Sequence, residues 1–275
     1  MRIAEPVQAS WKAHLALDFE SRDRKTVLAR KHADGPLVVQ KPLYPEGPQP
    51  CHVIVVHPPG GIAGGDELTL EVKTDKNSSA LLTTPGAGKW YRSAGPWASQ
   101  RLSFAVDGVL EWLPRETIVF DGALASLHLQ VNLGSEACYI GWEVVCLGRT
   151  GSGEKFERGE IRIETKLNRS GKPLLLGLGT IEGGGRLMNS PAGLGGRTVF
   201  GTLIAASATL GEDLLTGCRK GLPDCIALTL LPGVLVARYL GDSGEQAMQE
   251  FISLWKRLRP AIAGRPAVEP RIWST

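Results

Sequence analysis

Four carboxylates in this chain stand where their neighbours give no obvious reason for a charge. Asp66 closes the run His57-Pro58-Pro59-Gly60-Gly61-Ile62-Ala63-Gly64-Gly65, and Glu111 sits beside Trp112. Glu143 interrupts a segment that is apolar on both alternating faces, and Glu182 precedes three glycines. An unpartnered carboxylate is costly to bury. Each must therefore pair with an arginine, face a water-filled space or meet a cation. Arg92, Arg115 and Arg186 are the expected partners for the first option. Oxygen donors suit the third, because carboxylate and water exchange readily around a divalent ion, whereas an imidazole or thiolate cage would trap it.

Other chemistries fail on spacing. Thr84-Pro85-Gly86-Ala87-Gly88-Lys89-Trp90 resembles a phosphate loop only faintly, since Thr83 and Trp90 occupy positions that need glycine and a hydroxyl residue. A nucleotide-dependent enzyme using Lys89 is thus an expectation to test and set aside. Gly177-Leu178-Gly179 and Gly193-Leu194-Gly195 lack the third dinucleotide glycine, and no Gly-x-Ser-x-Gly elbow is present. There is no Cys-x-x-Cys or His-x-x-x-His, and His52 and His57, five apart, fall on opposite faces of a strand. Cys138 and Cys146 share a face with Ile140, Trp142 and Val144, which reads as buried thiols. No nucleophile, base and oxyanion set assembles, and no tight metal site.

The elements that must position these groups are mostly strands. Val53–Val56 leads into the glycine run and Leu68–Val72 leads out, so Pro58, Gly60, Gly61 and Gly65 shape a turn between strands. Ala13, Leu15, Leu17 and Phe19 alternate with polar residues, and Leu37–Gln40 forms a second short strand. The clearest alternation runs from Ala123 to Leu133. Asp107-Gly108 and Asp121-Gly122 read as hairpin turns. Ala137–Leu147 reads as a strand buried between layers. Val199–Leu210 fits strand or helix. A short helix is expected over Glu212–Lys220 and a longer one from Ser243, whose Gln246 has capping-box spacing; Met248, Phe251, Ile252, Trp255 and Leu258 make one stripe, and Pro260 is the expected stop.

Composition bounds the rest. The chain has 275 residues, 34 of them glycine and 18 proline, which implies many short elements and favours a mainly β fold. A formal net charge of +3, with the densest basic run Arg22-Asp23-Arg24-Lys25 broken by an acid, argues against nucleic acid. Five cysteines, an odd number, and a first segment Met1–Ser10 without an apolar core point to reduced thiols in the cytoplasm and no membrane span. One domain over residues 1–275 is expected.

Five blocks in order resemble the UreD (UreH) family of urease accessory proteins. They are His57-Pro58-Pro59-Gly60-Gly61 with Gly65-Asp66; Thr84-Pro85-Gly86-Ala87-Gly88-Lys89-Trp90-Tyr91-Arg92-Ser93; Leu110 to Glu116 with Ile118 and Phe120; Gly148-Arg149 with Gly153 to Phe156; and Pro270-Arg271-Ile272-Trp273-Ser274-Thr275. The loop Thr150–Ser152 is more glycine-rich than that family leads one to expect. The resemblance implies an elongated, β-helix-like or multi-layer β body with a C-terminal amphipathic helix and one short helix. It implies a non-catalytic role in urease maturation: docking on the urease structural subunits and on UreF, recruiting the GTPase UreG through UreF, and passing transient Ni2+ along an internal water-filled passage. Asp66, Glu111, Glu143 and Glu182 are then the expected lining, while His57, Pro58, Gly60, Gly61, Gly65, Lys89, Tyr91 and Arg92 shape the fold. The alternative is a conformational chaperone of apo-urease that never touches nickel.

Overall fold

Glycine and proline corners divide the chain into strands that alternate between two facing sheets. The structure, a computed structural model, describes residues 10–274. The expectation drawn from Met1 onwards, and Thr275 of the last motif, lie outside the described residues apart from Ser10.

β1 (Lys12–Arg22) and β2 (Lys25–Asp34) form an antiparallel hairpin; β3 (Val38–Val39) and β4 (Cys51–Val56) then open the second sheet. From there the chain coils. β5 (Glu67–Thr74) returns to the first sheet, β6 (Ser79–Thr83) to the second, and after the short β7 (Gly88–Trp90) come β8 (Ala98–Val106) in the first and β9 (Val109–Leu113) in the second. Past β10 (Thr117–Val119), which pairs β7 and β12, the coil continues with β11 (Leu124–Leu133), β12 (Cys138–Leu147) and β13 (Glu160–Arg169). β14 (Lys172–Glu182) closes the first sheet. The second gains β15 (Val199–Ala206), β16 (Ile226–Leu231) and β17 (Val234–Gly241). Successive coils stack in parallel register, as in β1–β5–β8–β11–β13 and β4–β6–β9–β12, while the edges are antiparallel. The mainly β expectation is met.

Two Asp-Gly signals do not make hairpins. β8 and β9 lie in different sheets, so Asp107-Gly108 carries the chain across the gap rather than back along a neighbour. Stacking explains the glycine: a Cβ on Gly108 would come within 2.4 Å of the Ser78 and Asp75 carbonyls of the preceding coil's corner. Asp121-Gly122 likewise leads from β10 into the first sheet. The unforeseen strand is β2. Its basic turn, with Asp23 and Arg24 both at positive φ, is the hairpin bend, and its exposed edge carries little apolar signal.

Helices α1 (Arg186–Asn189), α2 (Glu212–Arg219) and α3 (Gly244–Ala263) complete the chain. None of the described helices is long and apolar enough to cross a membrane. α3 starts where the Ser243 hydroxyl accepts from the Gln246 amide at 3.1 Å. The Gln246 side chain faces Tyr239 and Cys225, leaving the reciprocal half of the box unmade. Met248, Phe251, Leu254, Trp255 and Leu258 bury against Ile140, Trp142 and Val144 of β12 and Leu203 of β15. That stripe contributes on the order of 10 kcal/mol gross, at about 1.5–3 per side chain. Pro260 does not stop α3. The helix continues to Ala263, because Arg259 and Ile262 are buried on either side of the proline; Gly264, at φ +68, ends it.

Candidate functional site

Alternation decides which way each strand carboxylate points. On β12, Ile140, Trp142 and Val144 face α3, so Tyr139, Gly141, Glu143 and Val145 face the first sheet. Glu143 therefore looks into the space between the sheets. There it lines a void of about 40 Å³ together with Gln100, Thr165, Thr202 and Trp112. Protein surrounds the carboxyl, yet it retains accessible surface, which that void supplies. Its Oε1 accepts a short hydrogen bond from the Thr117 hydroxyl. Burial pushes its pKa up to about 7, against the lowering effect of that hydroxyl. The Tyr139 hydroxyl is fully buried without a partner, and lies over Gly141, where a Cβ would be 2.1 Å away. Burial, then the nearby Glu143 charge, raises the phenol well above its usual range.

A second void, about 310 Å³, shares walls with the first at Gln100, Leu102 and Trp112. It is lined further by His57, Gly60, Gly61, Thr84 to Gly88, and Lys89. At the opposite side of the first void, Thr202 accepts from exposed Arg238 at 3.4 Å. The two voids thus adjoin, each walled mainly by apolar side chains with a few polar ones among them.

The glycine run is held by Asp66. The carboxylate, 2% exposed, accepts from Trp11 N at 2.7 Å and Ala63 N at 2.8 Å, tying the corner to the start of β1. Gly60 and Gly65 take positive φ. Gly61 is dictated by contact instead, as a Cβ there would lie 2.0 Å from the Tyr91 ring. Tyr91 in turn packs edge-on against Phe120, and Arg149 covers Phe120. Lys89 contributes backbone, its carbonyl accepting from Ile62 N at 2.7 Å, with an exposed side chain. Pro58 is exposed in the turn. Burial lowers the His57 pKa, with Asp66 acting against this, and Nε2 has no partner.

Asp66 lines neither void, and the other two carboxylates stand apart from them as well. On β9, Leu110 and Trp112 face inward, which turns Glu111 outward under α3. It is fully buried and bound by Arg259 and by Trp255 Nε1 at 2.6 Å. Its partner is none of the three arginines expected from the sequence: Arg92 binds Asp121 and Arg115 binds Glu116. Arg259 reaches on to Glu46, at 2.7 and 2.8 Å, and Glu46 binds His52 at 2.7 Å. Glu182 is exposed at the end of β14, across the ladder from Glu160. The thiol burial expected for Cys138 and Cys146 is only half met, since both are half-buried on the α3 side of β12; Cys51 and Cys218 are the buried thiols. Among the described residues, no three His, Cys, Asp or Glu side chains converge on a possible metal position.

One constellation had no sequence signal. Parallel register sets Ser126, His128 and Glu164 in a row on the outer face of the first sheet, with Ser126 Oγ to His128 Nε2 at 2.8 Å and His128 Nδ1 to Glu164 at 2.9 Å. The order imitates a hydrolytic triad. The strand amides around it are taken up by the ladders to β8 and β13, leaving no backbone oxyanion donors.

A family model described as the UreD urease accessory protein matches residues 12–274. A protein of Dechloromonas aromatica (strain RCB) named urease accessory protein UreD is 50% identical over 282 residues, spanning 99% of this chain and 98% of that one. One of the same name from Azoarcus sp. (strain BH72) is 48% identical, over 100% and 98%. Another from Nitrosococcus oceani is 45% identical, over 97% and 91%.

Proposed function

The chain belongs to the UreD urease accessory protein family, and we propose that it is a non-catalytic scaffold of urease maturation whose interior passes nickel to apo-urease. In this reading it acts in the cytoplasm, docks on the urease subunits and on UreF, and through UreF receives Ni2+ from the GTPase UreG. Nickel is cargo here and not a resident cofactor.

The observation that carries the reading is Glu143, a carboxyl facing a small void, mostly apolar in its walls, inside a β body whose other inward positions are mostly apolar. Gln100, Thr165 and Thr202 add neutral oxygens in the same space. One carboxylate with neutral oxygens and water holds a divalent ion weakly, which suits transfer better than storage. Because burial favours the protonated acid, an arriving cation displaces a proton, and the site relaxes to neutral when the ion leaves. Asp66 serves this passage as the staple of its glycine-lined mouth. Glu111 stabilises the body from the far side of its sheet, and Glu182 lies on the surface.

The test is the nickel content of urease matured with Glu143→Gln, which keeps the size of the side chain and removes its charge. Loss of nickel with the accessory complex intact supports the passage. Full nickel loading favours a conformational chaperone that never meets the ion.

A further inference from the structure

Each carboxylate near the centre of the first sheet's outer face is met by a basic side chain. Glu67 meets Lys12 at 3.7 Å, Glu71 meets His14 at 3.6 Å, Glu160 meets Arg162 at 2.7 Å, and Glu164 binds both His128 and Lys166. Arg101 of β8 is one charge left over. Among the described residues it makes no ion pair, hydrogen bond or ring contact, although Thr69 and His128 flank it in the ladder.

Its surroundings are built rather than loose. Arg101 lines a surface pocket of about 320 Å³ with Trp97, Ser99, Ser126, Arg162 and Glu67. Arg162 is fixed twice, by Glu160 and by lying over the Trp97 ring at 4.0 Å. The Ser126–His128–Glu164 row fixes the Ser126 hydroxyl at the rim. The row therefore has a use that does not require hydrolysis: it orients a hydroxyl beside an unmatched guanidinium. Trp11, 54% exposed, adjoins the same edge through Glu67 N, which donates to Trp11 O at 2.8 Å.

We propose that this pocket is a docking point for a carboxylate side chain on the acidic face of a protein partner, gripped by Arg101 and seated between Trp97 and the Ser126 hydroxyl. Two guanidiniums, two serine hydroxyls and exposed indole are the groups that dominate protein interfaces, and Arg binds carboxylate bidentately. Charge complementarity names the partner chemistry, because a second cation is repelled and an apolar group would strand Arg101. The open, shallow setting on a sheet face suits a protein surface better than a free anion, which needs enclosure to bind from dilute solution. The proposal rests on the maturation reading only for the choice of partners to assay.

The experiment uses the full-length chain and, as probes, purified UreF and purified apo-urease of the same gene cluster, in metal-free buffer. Affinity is measured by biolayer interferometry at low and high salt for wild type, Arg101→Glu and Lys76→Glu. Lys76 is an exposed residue at the β5–β6 corner, the opposite end of these strands, so it makes the same charge change elsewhere. Arg101→Glu should weaken one partner at least about tenfold and flatten its salt dependence, while Lys76→Glu and both melting curves match wild type. Unchanged affinity of Arg101→Glu for both partners overturns the proposal, as does an equal loss in Lys76→Glu. Calorimetric binding of inorganic phosphate that disappears in Arg101→Glu would also overturn it, in favour of a small-anion site. The assay contains no nickel, so failure of the passage leaves this result standing, and the reverse holds equally.

Discussion

Arg259 of α3 and Glu111 of β9 are 148 residues apart in the chain and joined by three hydrogen bonds of 2.9 to 3.1 Å, both side chains fully buried. Trp255 and Glu46 complete the cluster, so the two ion pairs of Arg259 fix the C-terminal helix, the second sheet and the proline-rich loop to each other. Removing either partner leaves an unmatched buried charge. Arg259→Met should therefore cost about 3–5 kcal/mol in denaturant unfolding, and the double variant with Glu111→Leu should recover part of that. Additive losses in the cycle would mean that the two residues act separately.

The Glu143 acid has a folded-state pKa of about 7, against the 4.5 of the same carboxyl in water. Folding thus binds a proton in that window: the stabilising contribution is complete below pH 4.5 and disappears as pH rises through 7. Glu143→Gln, which cannot ionise, should match wild type near pH 4.5 and exceed it by roughly 1–3 kcal/mol at pH 8. Urea unfolding at both pH values checks this, and a constant difference would place the ionised carboxylate in water.

Asp66 satisfies two amides that no other acceptor among the described residues reaches. Asp66→Ala should lose about 2–4 kcal/mol and free the start of β1, seen as faster amide exchange at Trp11 and Ala63. Asp66→Asn keeps one acceptor oxygen and should lose about half as much. Native exchange at both amides in the alanine variant would count against the staple.

Gly61 owes its identity to the Tyr91 ring. Gly61→Ala should cost about 1–3 kcal/mol of thermal or urea stability, and adding Tyr91→Ala should relieve most of the clash while losing the Phe120 contact. Were Gly61→Ala neutral alone, the Tyr91 ring would not be the reason for the glycine.

Much of this was legible from the sequence, and the reasons differ by element. The Ala123–Leu133 alternation and the α3 stripe are periodicities that burial enforces, and both appear where expected. The Asp-Gly turns were read as hairpins because local chemistry specifies a bend but not which sheet receives the next strand. That choice depends on stacking against a coil some thirty residues earlier. Glu143 and Glu111 look alike in sequence, each on a strand with apolar neighbours. What separates them is which sheet face meets a void and which meets α3. Arg259 carries no local sign of its role, since nothing near it in the sequence reveals that Glu46 and Glu111 wait beneath it. The Ser126–His128–Glu164 row exists only through the register of β11 with β13.

The passage itself is tested most directly by filling it. Thr202 stands opposite Glu143 in the β12–β15 ladder and lines the same void, so Thr202→Phe narrows the space without removing the carboxyl. Nickel per urease active site is then counted after maturation in a complex verified to be assembled. The account predicts a loss of at least about tenfold in loading rate, equal to a barrier of roughly 1.4 kcal/mol. Wild-type nickel delivery through the filled chain would contradict it.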